Sequence, residues 1–145
     1  ADITAGILLR LDAITRLQPS KLFIMIGIND LSRNMTPDEV AANYRTILER
    51  LKAETPRTKV YVESVLPVNP ATGMALNHTN KTPQIMELNA KLKGLAAEFG
   101  YTYVDLFSVM ADSDNHLPRK CSIDGLHLTY EGYRIWVETI KPYIR

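Results

Sequence analysis

Three short apolar runs, each breaking off in a polar cluster, alternate with four stretches of helical periodicity. No other feature restricts the fold of this chain as much. The runs are "LFIMIGI" from Leu22, "KVYVESVLP" from Lys59 and "YTYVDLF" from Tyr101. The first is continuous and apolar, as expected of a strand buried on both faces. The second is rich in β-branched residues and is stopped by Pro67. Around them, apolar residues recur at helical spacing. Ile3, Ile7, Leu8, Leu11, Ile14 and Leu17 form one such stripe, halted by Pro19. Thr36, Pro37 and Glu39 make a capping box with proline at the first helical position, ahead of Val40, Tyr44, Ile47, Leu48 and Leu51. A third helix starts at Thr82-Pro83 and ends at Gly100, and a last one follows Thr129 with Tyr133, Trp136, Val137 and Ile140.

Strands alternating with helices imply right-handed crossovers, and therefore a parallel sheet with helices on both faces: a three-layer α/β/α architecture. With 145 residues and no linker composition, the chain reads as one domain, 1–145. Ligands of such folds bind at the carboxyl ends of the strands, which directs attention to the polar clusters. "GIND", Gly27 to Asp30, closes the first run, and "DGLH", Asp124 to His127, precedes the last helix. Across the second cluster, the Asp124 carboxylate can reach Nδ1 of His127. That bond fixes the tautomer and leaves Nε2 free to accept a proton. Taken alone, each cluster also reads as an ordinary turn. The longest irregular segment, "VNPATGMALNHTNKT" from Val68, reads as a functional rim.

A net charge of +1 without a basic block argues against nucleic-acid or membrane-surface partners. No apolar run approaches the roughly 20 residues of a transmembrane helix. His78, His116 and His127 lack a metal-ligand spacing, and the strand ends carry no glycine cradle for a phosphate, so no metal or cofactor is expected. His116 reads as a solvated loop histidine, and so does His78, with a place on a pocket rim as its alternative. Cys121 reads as a packed thiol, and Tyr130, Tyr133 and Trp136 as helix packing in preference to a substrate cage.

Together, Gly-x-Asn-Asp at a strand end and Asp-x-x-His before a C-terminal helix resemble the SGNH hydrolase (GDSL esterase/lipase) superfamily. The resemblance covers essentially the whole chain. "IGINDL", "SVLPVN" and "DGLHLTYEGYRIW" are most similar to its acetylhydrolase and sialate O-acetylesterase-like branch. What it implies is a flavodoxin-like hydrolase fold and a serine ester hydrolase without a cofactor. It further implies that the Asn29 amide donates to the oxyanion, that Gly27 lets the backbone pass tightly, and that Asp30 holds the asparagine loop. His127 is the implied general base and Asp124 its orienting acid. The implied substrate is a small-molecule ester, an acetylated carbohydrate foremost, with lysophospholipid or thioester as alternatives.

One block of the family pattern is missing. The family nucleophile sits in a Gly-Asp-Ser motif after the first strand, and none of Ser20, Ser32, Ser64, Ser108, Ser113 and Ser122 stands in that setting. The resemblance thus implies a nucleophile outside this chain, which would then be the C-terminal portion of the hydrolase, lacking the first two strands and inactive alone. In the family's sheet order, 2-1-3-4-5, the missing strand pairs with "LFIMIGI". That edge is expected to associate with the upstream segment or with a second copy. A non-catalytic pseudoenzyme and a flavodoxin-like binding module remain as rival readings. Secreted, periplasmic and cytoplasmic locations are all compatible with the sequence.

Overall fold

The computed structural model describes residues 2–145. Strands β1 (Lys21–Ile24), β2 (Lys59–Glu63) and β3 (Thr102–Val104) form one parallel sheet in that order. Leu22 lies opposite Val60, Phe23 opposite Tyr61, and Val62 opposite Tyr103. Successive strand residues face opposite sides, and each side has its own cover. Ile24, Val60 and Val62 pack with Val40, Tyr44 and Ile47 of α4 (Pro37–Glu54) and with Leu88 and Leu92 of α6 (Thr82–Phe99). On the other side Phe23 stacks on Tyr61, ring centroids 4.6 Å apart. Tyr61 and Val104 meet Leu106 of α7 (Leu106–Met110) and Ile140 of α8 (Tyr130–Ile144) there. The three layers inferred from the alternation are present. The capping box of α4 is also formed, with Glu39 N–H donating to Thr36 Oγ1 and Thr36 N–H to Glu39 Oε1.

The first helical stripe departs from expectation. It is two short helices, α1 (Thr4–Leu9) and α2 (Leu11–Arg16), broken at Arg10. Two tethers account for the break. Thr4 is bonded to Asp30 at one end, while Thr15 Oγ1 donates to Glu54 at 3.1 Å at the other. Bending at Arg10 satisfies both and sinks Leu11 into the core.

The first strand is also shorter than its apolar run. The ladder stops at Ile24, and Ile26 is buried beyond it before the chain turns at Gly27 into α3 (Ile28–Ser32). The long loop is partly ordered as a 3-10 turn, Pro70–Thr72, and a single helical turn, α5 (Leu76–Thr79). Among the described residues β1 pairs only with β2, so its far side is a sheet edge. No helix there is long and apolar enough to cross a membrane.

Candidate active site

Asn29 is delivered by a turn that only glycine fits. Gly27 has φ +137°, a region side chains rarely adopt, and a Cβ there would stand 2.9 Å from Leu88 Cδ2 and 3.2 Å from Val65 Cγ2. The turn leads straight into α3, placing Asn29 in its first turn. The neighbouring Asp30 is fully buried. Its carboxylate accepts the Thr4 backbone N–H at 3.1 Å and the Thr4 hydroxyl at 2.5 Å, while Asn43 Nδ2 donates to that hydroxyl at 3.0 Å. Charge-assisted bonds of this kind contribute roughly 1.5–3 kcal/mol each. They fasten α3 to α1, and the Asn43 bond ties α1 in turn to α4, so the platform under Asn29 is anchored through Thr4.

The Asn29 carboxamide is held at both ends. Nδ2 donates to the backbone carbonyl of Asp2 at 3.2 Å, and Oδ1 lies 3.0 Å from Nε2 of His78 on α5. His78 is therefore not the solvated loop histidine that the sequence suggested. Burial first, and the His127 charge second, push its pKa below the ordinary imidazole value. Nothing in the spacing of the sequence couples positions 29 and 78; the only hint was that the long loop had to border the strand ends.

The second cluster is self-contained. Asp124 Oδ1 accepts the backbone N–H groups of Leu126 at 2.9 Å and His127 at 2.8 Å, and Ser122 Oγ donates to it at 3.2 Å. Oδ2 stands 2.6 Å from His127 Nδ1. The His127 ring first, and these backbone donors next, hold the Asp124 carboxyl far below the usual carboxylate range. The His127 side chain is 79% exposed, and among the described residues no side chain bonds its Nε2. The loop is wedged against the 3-10 turn. Asn69 N–H donates to Gly125 O at 2.9 Å, and Thr72 Oγ1 donates to Asp124 O at 2.9 Å. At Gly125, with φ +83°, a Cβ would be 2.3 Å from Asn69 O. Thr129 caps the following helix by accepting Gly132 N–H at 3.3 Å.

Segment 69–81 thus forms an arch touching both clusters, with Asn69 and Thr72 on the Asp124 loop and His78 on Asn29. Two hollows that share lining residues lie at the strand ends. One, of about 220 Å³, is bordered by Gly27, Asn29, Met25, Leu66 and Leu126. The other, of about 260 Å³, shares Met25, Leu66 and Leu126 and reaches His127, Tyr133 and Trp136. An apolar trough therefore runs from Asn29 to His127 at the carboxyl edge of the sheet.

Two other singled-out residues, Cys121 and His116, stand apart from this trough, whereas Trp136 borders it. Cys121 is buried against Met110 and Leu117, and burial pushes its thiol pKa up. His116 N–H donates to Asp112. Trp136 Nε1 donates to Glu63 Oε1 at 3.0 Å. No serine hydroxyl bonds His127 among the described residues: Ser122 is tied to Asp124, Ser32 to Asn29 O, and Ser64 Oγ accepts Phe107 N–H. No group of three metal-binding side chains is found among them either.

A parallel α/β/α sandwich with these clusters at its carboxyl edge is an SGNH-type hydrolase fold. The chain belongs to the GDSL-like lipase/acylhydrolase family, whose sequence model matches residues 2–135. The GDSL esterase/lipase WDL1 of Oryza sativa subsp. japonica is 30% identical over 137 residues, covering 85% of this chain and 52% of that protein. The chain thus spans about half the length of this curated relative. A GDSL-like lipase from Bacteroides thetaiotaomicron superposes with a TM-score of 0.85 at 27% identity, over 99% of this chain and 71% of that one. A lipase/acylhydrolase from Enterococcus faecalis shares the fold, with a TM-score of 0.79 at 22% identity over 99% of this chain and 70% of that one.

Proposed function

We propose that these residues carry the base, the orienting acid and one oxyanion donor of a serine ester hydrolase whose nucleophile lies outside the 145 residues. The observation that carries this reading is the trough with an open His127 Nε2 at one end and the Asn29 carboxamide at the other. The absence of a serine bonded to His127 among the described residues supports the placement of the nucleophile.

In this mechanism the serine hydroxyl attacks the ester carbonyl while Nε2 of His127 takes its proton. Asp124, bonded to Nδ1, holds the ring in the correct tautomer and stabilises the imidazolium. The carbonyl oxygen becomes an oxyanion and accepts from Nδ2 of Asn29 together with backbone N–H groups. One preorganised donor of this kind stabilises the transition state by about 2.7–4 kcal/mol. His127 then returns the proton to the leaving alcohol, and water repeats the sequence to free the acid. Small acyl groups suit an apolar trough of this volume, and the resemblance to the acetylhydrolase branch favours acetyl on a carbohydrate.

Intact-mass measurement after fluorophosphonate treatment tests the assignment. The 145-residue chain is expected to gain no adduct. A protein that also carries the Gly-Asp-Ser segment is expected to gain one, and His127→Ala to abolish it. An adduct on the 145-residue chain would refute the placement of the nucleophile. Turnover of acetyl esters in preference to long-chain acyl esters would support the small-acyl reading, and the reverse order would replace it.

A further inference from the structure

A side-chain carboxamide has two ends of nearly equal shape. Rotated by half a turn, Asn29 would present Oδ1 where Nδ2 had been, and an acceptor would then face a developing oxyanion. An oxyanion donor of this type is therefore only as good as whatever forbids that rotation. On Asn29 two contacts bear on it: the Asp2 carbonyl takes a hydrogen from Nδ2, and the His78 ring lies 3.0 Å from Oδ1.

We infer that His78 is a positioning residue, whose Nε2–H holds Oδ1 of Asn29 and so keeps Nδ2 turned to the reacting oxygen. This inference rests on the esterase reading given above. The imidazole must carry its proton on Nε2, because a ring with a bare Nε2 would equally well accept from a rotated amide. His78 is itself fixed in place. Its neighbour Thr79 is fully buried, with its hydroxyl donating to Met74 O at 2.9 Å, and its N–H bonds Ala75 O at 2.9 Å. The turn is entered through Ala75 at φ +47°, a left-handed conformation that strains a non-glycine residue. That strained turn, packed on α3, sets the imidazole against Asn29. Burial and the His127 charge both oppose a second proton on the ring. The neutral form has a single N–H to give, and Asn29 is the partner that receives it.

Two measurements test the lock. The first uses the 145-residue chain and needs no activity: 15N NMR of the histidine rings and of the Asn29 side-chain amide. His78 is expected as the Nε2–H tautomer, and His78→Phe is expected to shift the Asn29 NH2 pair while leaving the His127 ring signals in place. An Nδ1–H tautomer, or an Asn29 pair indifferent to the substitution, would overturn the inference. The second uses a catalytically competent protein containing the nucleophile. His78→Phe should lower kcat about 10-fold to 100-fold with little change in KM, the size of effect that misplacing a catalytic group produces. His78→Gln, which retains an N–H donor, should recover part of the loss. Unchanged kcat in His78→Phe, or an equal loss in both variants, would remove His78 from the positioning role. A protein inactive before any substitution would refute the esterase reading, and the NMR result would still decide whether His78 holds Asn29.

Discussion

The two ends of the trough are built on opposite plans. At the His127 end, four consecutive residues make most of the geometry, since Asp124 binds two backbone N–H groups and the imidazole within its own turn. At the Asn29 end almost nothing is local: its partners are Asp2 and His78, and its platform is fastened through Thr4 and Asn43. The difference teaches where the two halves of the proposed site, the His127–Asp124 pair and the Asn29 amide, get their precision. A base and its acid can be set by a turn, whereas an amide must be held by whatever the fold brings alongside.

The contrast can be broken most severely by Asp124→Asn. In a competent protein this variant should lower kcat by roughly 10⁴-fold, the size of loss when a triad acid loses its charge. The Asn29 side-chain amide should be unmoved in NMR spectra of the same variant. A shift there would mean that the two ends are not separately built. The low Asp124 pKa adds a pH expectation. The native carboxyl titrates below an unfolded Asp, so its stabilising contribution is fully present above about pH 4 and is lost only as pH falls through the lowered native value. The His127–Asp124 contact should therefore survive acidification to about pH 4, read from the His127 ring signals.

Gly27→Ala should be the next largest effect, a loss of about 2–4 kcal/mol in unfolding free energy from backbone strain and crowding against Leu88 and Val65. Chemical denaturation measures it. The comparison is sharpened if the Asn29 amide signals move while those of the His127 ring hold.

The smallest effect lies under the trough. Burial raises the pKa of Glu63, although its bond from Trp136 opposes the shift. The native state thus binds the proton more tightly than the unfolded chain. Stability conferred by the protonated form is complete below about pH 4.3 and declines as pH rises through the native value. Glu63→Gln should consequently raise stability at pH 7 and leave it unchanged at about pH 4, followed by thermal melts.

The same contrast explains what could be read from sequence. Asp124, Gly125 and His127 lie within four positions, so their geometry was foreseeable from turn chemistry alone. The α4 capping box and the three strands were foreseeable for the same reason, because periodicity and caps are local. The break at Arg10 was not, since it answers to Asp30 and Glu54, 26 residues from Thr4 and 39 from Thr15 respectively. His78 was misread on the same ground. Its partner is 49 residues away, and a polar loop gives no sign of which of its side chains will turn inward.

The arch of residues 69–81 has a mechanical consequence. One foot rests on the Asp124 loop and the other on Asn29, so it works as a caliper whose opening is the distance between His127 and Asn29, the proposed proton acceptor and oxyanion donor. Such a device is adjusted by the length of its span and the stiffness of its joints, Gly73 at φ +69° and Ala75 at φ +47°. Insertions or replacements along that span would retune both ends together, and on the proposed function they would change which size of ester fits while Asn29, Asp124 and His127 stay the same.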